Sequence, residues 1–129
     1  MSDPWESLAL GPEGTYAFAP DMAAELFALL ATIAEQAAEP AAPAARRTTL
    51  LRQLALMDRL CEAGGDSRGR SLLKLAAGRL SDVDQEHGTG RGSIPAGDRC
   101  WELDPVGYVR QEYDQWLSDA ESGDGAERR

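Results

Sequence analysis

The sequence predicts an all-α fold, a small irregular four-helix bundle with a glycine-rich loop before the last helix, and three observations carry that reading. Apolar residues recur at three- and four-residue spacing in four separate segments. Alanine, leucine and other strong helix formers fill those segments. Glycine and proline gather chiefly between them. A chain of 129 residues suffices for one modest hydrophobic core. Residues 1–120 therefore read as a single helical domain with a short N-terminal strap, and 121–129 as a flexible acidic and polar tail. Apolar residues make up 43% of the chain, but many are alanine and only 6% of residues are aromatic, so leucine contacts and a few aromatics must supply most of the buried area.

The opening stretch carries Pro4, Gly11, Pro12 and Gly14, which breaks any long helix, and the Tyr16 and Phe18 alternation predicts a brief extended segment over the core, anchored by Trp5 and Leu8. Asp21 is placed to cap a first helix over Met22–Glu39. Met22, Leu26, Leu29, Leu30, Ile33 and Ala37 share one face, with Glu25, Glu35 and Glu39 away from its centre. Phe27 falls at the edge of that face, where it extends the core or meets another chain. Pro40 to Pro43 end the helix.

A second helix starts near Ala44, with Thr48 or Thr49 as the cap, and stops at Gly64 and Gly65. Leu50, Leu54, Met57 and Cys61 share its face, flanked by Leu56 and Leu60 on one side and Leu51 on the other; Arg52 and Arg59 point nearly opposite. The apolar arc is wide for a helix buried on one side only. Asp66 or Ser67 starts a third helix over Arg68–Glu86, with Leu72, Leu73, Ala76, Leu80 and Val83 inside and Leu75 at the flank. Arg79 lies between Leu72 and Leu75, so its head either snorkels out or meets a carboxylate across an interface.

From His87 to Gly97 the chain reads HGTGRGSIPAG, a loop by composition. Trp101 and Leu103 alternate in Arg99–Leu103, which predicts a short extended strap. Asp104 and Pro105 then open a final helix with Val106, Val109, Tyr113, Trp116, Leu117 and Ala120 on one face, fraying beyond Ser118. The expected core is Leu26, Leu30, Ile33, Leu50, Leu54, Met57, Leu72, Ala76, Leu80, Val109, Tyr113 and Trp116.

The formal charge of -9 is unevenly laid out: residues 1–41 hold seven acids and no base, 42–80 eight bases and three acids, and 81–129 twelve acids and five bases. Either the basic middle sits between its acidic neighbours, the simpler reading, or it faces an acidic partner. The acidic first residues differ from a basic secretory signal and no apolar run approaches the roughly 18 residues of a membrane span, so a cytoplasmic address is expected. Cys61 and Cys100 read as reduced thiols.

No catalytic, metal or cofactor set stands out. Gly88, Gly90 and Gly92 lack the preceding strand and following helix of a dinucleotide fingerprint. Asp82, Asp84 and Glu86 lack the central glycine and terminal glutamate of a calcium loop and read as a hydrated surface. His87, the sole histidine, has no sequence-marked nucleophile or orienting acid, although an enzyme site around it is one alternative. A nucleic-acid-associated regulator is another: Arg46, Arg47, Arg52, Arg59, Arg68, Arg70, Lys74 and Arg79 all fall on the central helix pair, but the flanking acidic segments oppose a duplex.

The expected function is a non-catalytic interaction module or accessory subunit acting through apolar helical surfaces. Phe27, Leu29, Leu51, Arg52, Leu56, Arg59 and Arg79 are its candidate partner-binding residues. The expected partner is another protein chain, in a homodimer or a larger host complex, rather than nucleic acid or membrane. A homodimer through the first two helices would set Arg52 or Arg59 against Glu25 or Glu35 of the second copy.

Overall fold

The computed structural model of the chain describes residues 16–17, 19–64 and 67–127, with side chains to 121, and every regular element among them is helical. Five helices follow in order: α1 Met22–Ala38, α2 Pro43–Gly64, α3 Ser67–His87, α4 Arg99–Leu103 and α5 Pro105–Glu127. No helix among the described residues is long and apolar enough to cross a membrane. The expected anchors Trp5 and Leu8, Phe18 of the expected extended segment, and Gly65 and Asp66 between the second and third helices lie outside the described residues.

Local chemistry sets most boundaries. The Asp21 carboxylate accepts the Ala24 amide at 3.2 Å, which satisfies one free donor at the start of α1. Proline opens both α2 and α5, where its fixed φ suits the first turn and no amide is missed. At the α5 start, Asp104 also accepts the Gly107 amide at 3.0 Å. Thr48 and Thr49 are not caps: α2 already runs through them, and their hydroxyls donate back to the Ala44 and Ala45 carbonyls at 3.1 Å. The expected strap at Arg99–Leu103 is helical. Asp98 caps it by accepting the Cys100 amide, a bond that holds its own carboxyl below the usual range. Trp101 turns inward with its indole N–H donating to the Pro95 carbonyl at 3.2 Å, while Leu103 is exposed. α5 also runs past Ser118 to Glu127.

The core joins Leu51, Leu54 and Ala55 of α2, Leu73, Ala77 and Leu80 of α3, Cys100 and Trp101 of α4, and Val106, Tyr108, Val109 and Tyr113 of α5. Aromatic contacts line it: Trp101 meets Tyr108 edge-on at 5.5 Å, and Tyr113 lies between Trp116 at 5.5 Å and Tyr16 at 5.7 Å. Of the expected core residues, Leu54, Leu80, Val109 and Tyr113 are buried, and Met57, Ala76 and Trp116 pack against the cluster. Leu26, Leu30, Ile33, Leu50 and Leu72 are exposed. On α3 the buried row is Leu73, Ala77, Leu80 and Asp84, one helical stripe whose last member must meet Arg47 and Tyr108, and that alignment leaves Leu72, Leu75 and Val83 outside.

Candidate functional site

Two arrangements stand out, one buried and ionic, the other exposed and apolar. In the first, Arg47 of α2 reaches across to α3 and α5. Its Nε and Nη2 donate to the two carboxylate oxygens of Asp84 at 2.8 and 2.7 Å, and Nη2 also donates to Glu112 at 2.8 Å. Both acids are buried. Asp84 further accepts from the hydroxyls of Tyr108 and Thr89. Burial alone would disfavour its charge, but the bonds from Arg47, Tyr108 and Thr89 outweigh that and hold its pKa below the ordinary 3.8. Burial and the same carboxylate push the Tyr108 phenol upward.

Glu112 accepts the amides of Arg91 and Gly92 at 2.7 Å each, one on each oxygen, and a side-chain N–H of Gln111 at 3.0 Å. The segment between α3 and α4 thus turns consecutive amides onto a carboxylate of its own chain, in the place where a phosphate would stand in a nucleotide-binding loop. Its glycines serve close packing. A Cβ on Gly92 would strike the Gln111 side chain, and one on Gly90 would come within 2.8 Å of the Tyr108 hydroxyl. The acidic row Asp82, Asp84 and Glu86 is correspondingly not one hydrated surface: Asp84 is buried in this network, and Asp82 and Glu86 are exposed.

The exposed arrangement is α1. Its five residues that are not exposed are Met22, Glu25, Leu29, Thr32 and Gln36, one row at three- and four-residue spacing. This row faces α2 through polar links: Arg52 donates to Glu25 at 2.8 Å and Gln36 donates to the Thr49 hydroxyl at 2.9 Å. Leu29 is the one apolar side chain of α1 that is fully buried. The other side of the helix carries Leu26 at 45% exposure, Phe27 at 70%, Leu30 at 53% and Ile33 at 37%, whereas Glu25 is 3% exposed. The helix is inverted: its more polar row points inward and its apolar row outward.

This placement corrects several expectations. Glu25 was expected on the outer side and is buried. The row Met22, Leu26, Leu29 and Ile33 is split, with Met22 and Leu29 turned inward and Leu26 and Ile33 turned outward. Among the candidate partner-binding residues, Leu29, Leu51 and Leu56 are buried within the chain and are not available on its surface. Arg52 is occupied internally, paired with Glu25 and lying 5.2 Å from the Trp116 ring centre. Arg59 lies 5.6 Å over the Tyr16 ring, with its Nη1 buried and unpartnered among the described residues. Phe27 and Arg79 remain exposed.

Four of the eight bases of the middle segment have partners within the chain, and Arg46, Arg68, Lys74 and Arg79 are exposed. Besides Arg47, Arg52 and Arg59, Arg70 pairs with Glu62 at 3.2 Å at the surface. One of the three acids of the middle segment, Asp58, is buried and receives Arg110 at 2.8 and 3.0 Å and the Tyr16 hydroxyl at 2.6 Å. His87 is exposed on the rim of a groove of about 690 Å³, whose walls include Pro43, Leu50 and Val83. Burial, and then the neighbouring Asp98, push the Cys100 thiol up to about 12, which keeps it an unreactive core residue.

The inward row of α1 could have been found only by seeing that Glu25 and Gln36 share a face with Leu29 and that Arg52 and Thr49 lie across from it. No family model, curated protein or solved structure matches this chain.

Proposed function

We propose that the chain is a non-catalytic protein–protein interaction module or accessory subunit that works through the outward face of α1. The observation that carries this reading is the inversion of that helix. An amphipathic helix in a solitary chain gains most by turning its apolar row inward. Here the inward row is held by an ion pair and a side-chain hydrogen bond, and four large apolar side chains stand in water. A contiguous apolar patch of this kind marks a contact surface. Internal use of Arg47, Arg52, Arg59 and Arg70 leaves less of the basic segment for a duplex, which favours a protein partner over nucleic acid.

The architecture proposed with it is a single domain over 1–120, an irregular bundle of the four long helices with the glycine-rich loop ahead of α4 and α5, followed by a tail, in a cytoplasmic setting. The test is affinity isolation from the native cell with the full chain and with its Phe27→Asp variant. A partner that co-purifies with the parent and is lost with the variant supports the reading. Identical recovery with both rejects this face as the contact.

A further inference from the structure

We infer that the outward face of α1 seats a second copy of this chain, with the two α1 helices antiparallel about a two-fold axis at Leu30. This rests on the interaction reading above and names its occupant. The outward row runs Ala23, Phe27, Leu30, Ala34 and Ala37, a four-three-four-three spacing, with Leu26 and Ile33 beside it, and all seven are exposed. An isologous interface requires a surface complementary to itself, since each residue meets its symmetry mate's counterpart.

The row meets that requirement. Reversing it about Leu30 sets Ala23 against Ala37 of the copy, Phe27 against Ala34, and Leu26 against Ile33, while Leu30 meets its own mate. Large side chains then face small or medium ones, and the alanines at both ends allow close approach of the two helix backbones.

Charge points the same way. Among the twelve exposed residues of α1 only Glu35 is charged. At about 100° per residue Glu35 lies on the side of the helix away from Leu30, so two copies of a chain with net charge -9 meet on a face that brings no like charges together. The antiparallel arrangement also opposes the two helix dipoles favourably.

The area suffices for a reversible dimer. A helix of 17 residues is about 25 Å long. With Phe27 70% exposed and Leu26, Leu30 and Ile33 between 37% and 53%, the face offers roughly 400–500 Å² per chain, close to the ~1,000 Å² total at which specific interfaces begin.

The experiment is sedimentation equilibrium on the full chain from about 1 μM to about 1 mM, the range in which an interface of this size associates. The mass is expected to rise from 13.9 kDa towards twice that value. Leu30→Asp and Leu30→Lys are each expected to stay monomeric with unchanged helical circular dichroism, because Leu30 is exposed in the single chain. An equimolar mixture of those two variants is expected to recover the dimer, since the axis at Leu30 sets the two new side chains against each other. A monomer at every concentration overturns the inference, even if Phe27→Asp abolishes co-purification of another protein; that pair of results assigns the face to a different chain and leaves the interaction reading standing. A dimer that both single variants keep overturns the assignment to this face, and a mixture that stays monomeric overturns the antiparallel register.

Discussion

α1 and α5 are both long helices with apolar and polar rows, and they use them in opposite senses. α5 buries Val106, Tyr108, Val109 and Tyr113 and exposes Asp114, the usual outcome of amphipathic periodicity. Its one buried acid among the described residues, Glu112, is surrounded by four donors from α2, α5 and the connecting segment. α1 buries one leucine and Glu25, and leaves its apolar row outside. The difference teaches that the α2–α3–α5 unit closes its core without α1, whose apolar row is left available. α5 should then be sensitive to any polar change in its network, and α1 tolerant of change on its outer row.

The largest expected effect is at Glu112. Glu112→Ala removes the buried acceptor of the Arg91 and Gly92 amides and one of the two acids that hold Arg47, which should cost about 3–5 kcal/mol, read as a lower urea midpoint at unchanged slope. Glu25→Ala on α1 leaves Arg52 over Trp116 and should cost clearly less, about 1–2 kcal/mol. Equal losses at the two acids would break the contrast between the helices.

The next effect separates two tyrosines of α5. The Tyr108 hydroxyl donates to the Asp84 carboxylate, whereas the buried Tyr113 hydroxyl has no partner among the described residues. Tyr108→Phe should cost about 1.5–3 kcal/mol, and Tyr113→Phe should be neutral or slightly stabilising in the same denaturation experiment. A comparable loss at Tyr113 would mean that its hydroxyl is held by a group outside this network.

Acid should act through Asp84 of α3, the carboxylate that Arg47 and Tyr108 hold. The pKa of Asp84 is lower in the folded chain than its ordinary 3.8, so the folded state binds the proton less readily than the unfolded one. Its contribution is complete above that value and is lost as pH falls below 3.8 through the folded-state pKa. Stability measured against pH should fall there less steeply in Asp84→Asn than in the parent. An identical slope in the two proteins would show that Asp84 does not supply the linkage.

The smallest effect belongs to the outer row of α1. Phe27→Ala should change the stability of the single chain by no more than about 0.5 kcal/mol, measured at a concentration low enough to keep it monomeric. A loss several times larger would show that Phe27 supports the chain's own fold.

The sequence was most legible where the chemistry is local. Asp21, Asp104 and Pro105 mark helix starts because their work is done within one turn. Trp101 and Leu103 mislead because two-residue alternation suggests an extended strap, while the Asp98 cap makes that stretch helical and of the two only Trp101 is inside. The orientation of α1 was hidden for a longer-range reason. Its inner row is made by Arg52 and Thr49, 27 and 13 residues beyond their partners, and periodicity weighs only the apolar residues of the helix itself. Asp84 and Glu112 escaped for the same reason, since their burial depends on Arg47, 37 and 65 residues away.

Arg91 and Gly92 lie outside any helix, where amide hydrogens ordinarily trade with solvent quickly. Their hydrogens point instead at the buried carboxylate of Glu112 on α5, and deuterium replaces them when those two bonds open. By secondary structure this is a connecting segment, but its exchange clock is set by a bond to the helical core, so these two amides report on the docking of the segment against α5.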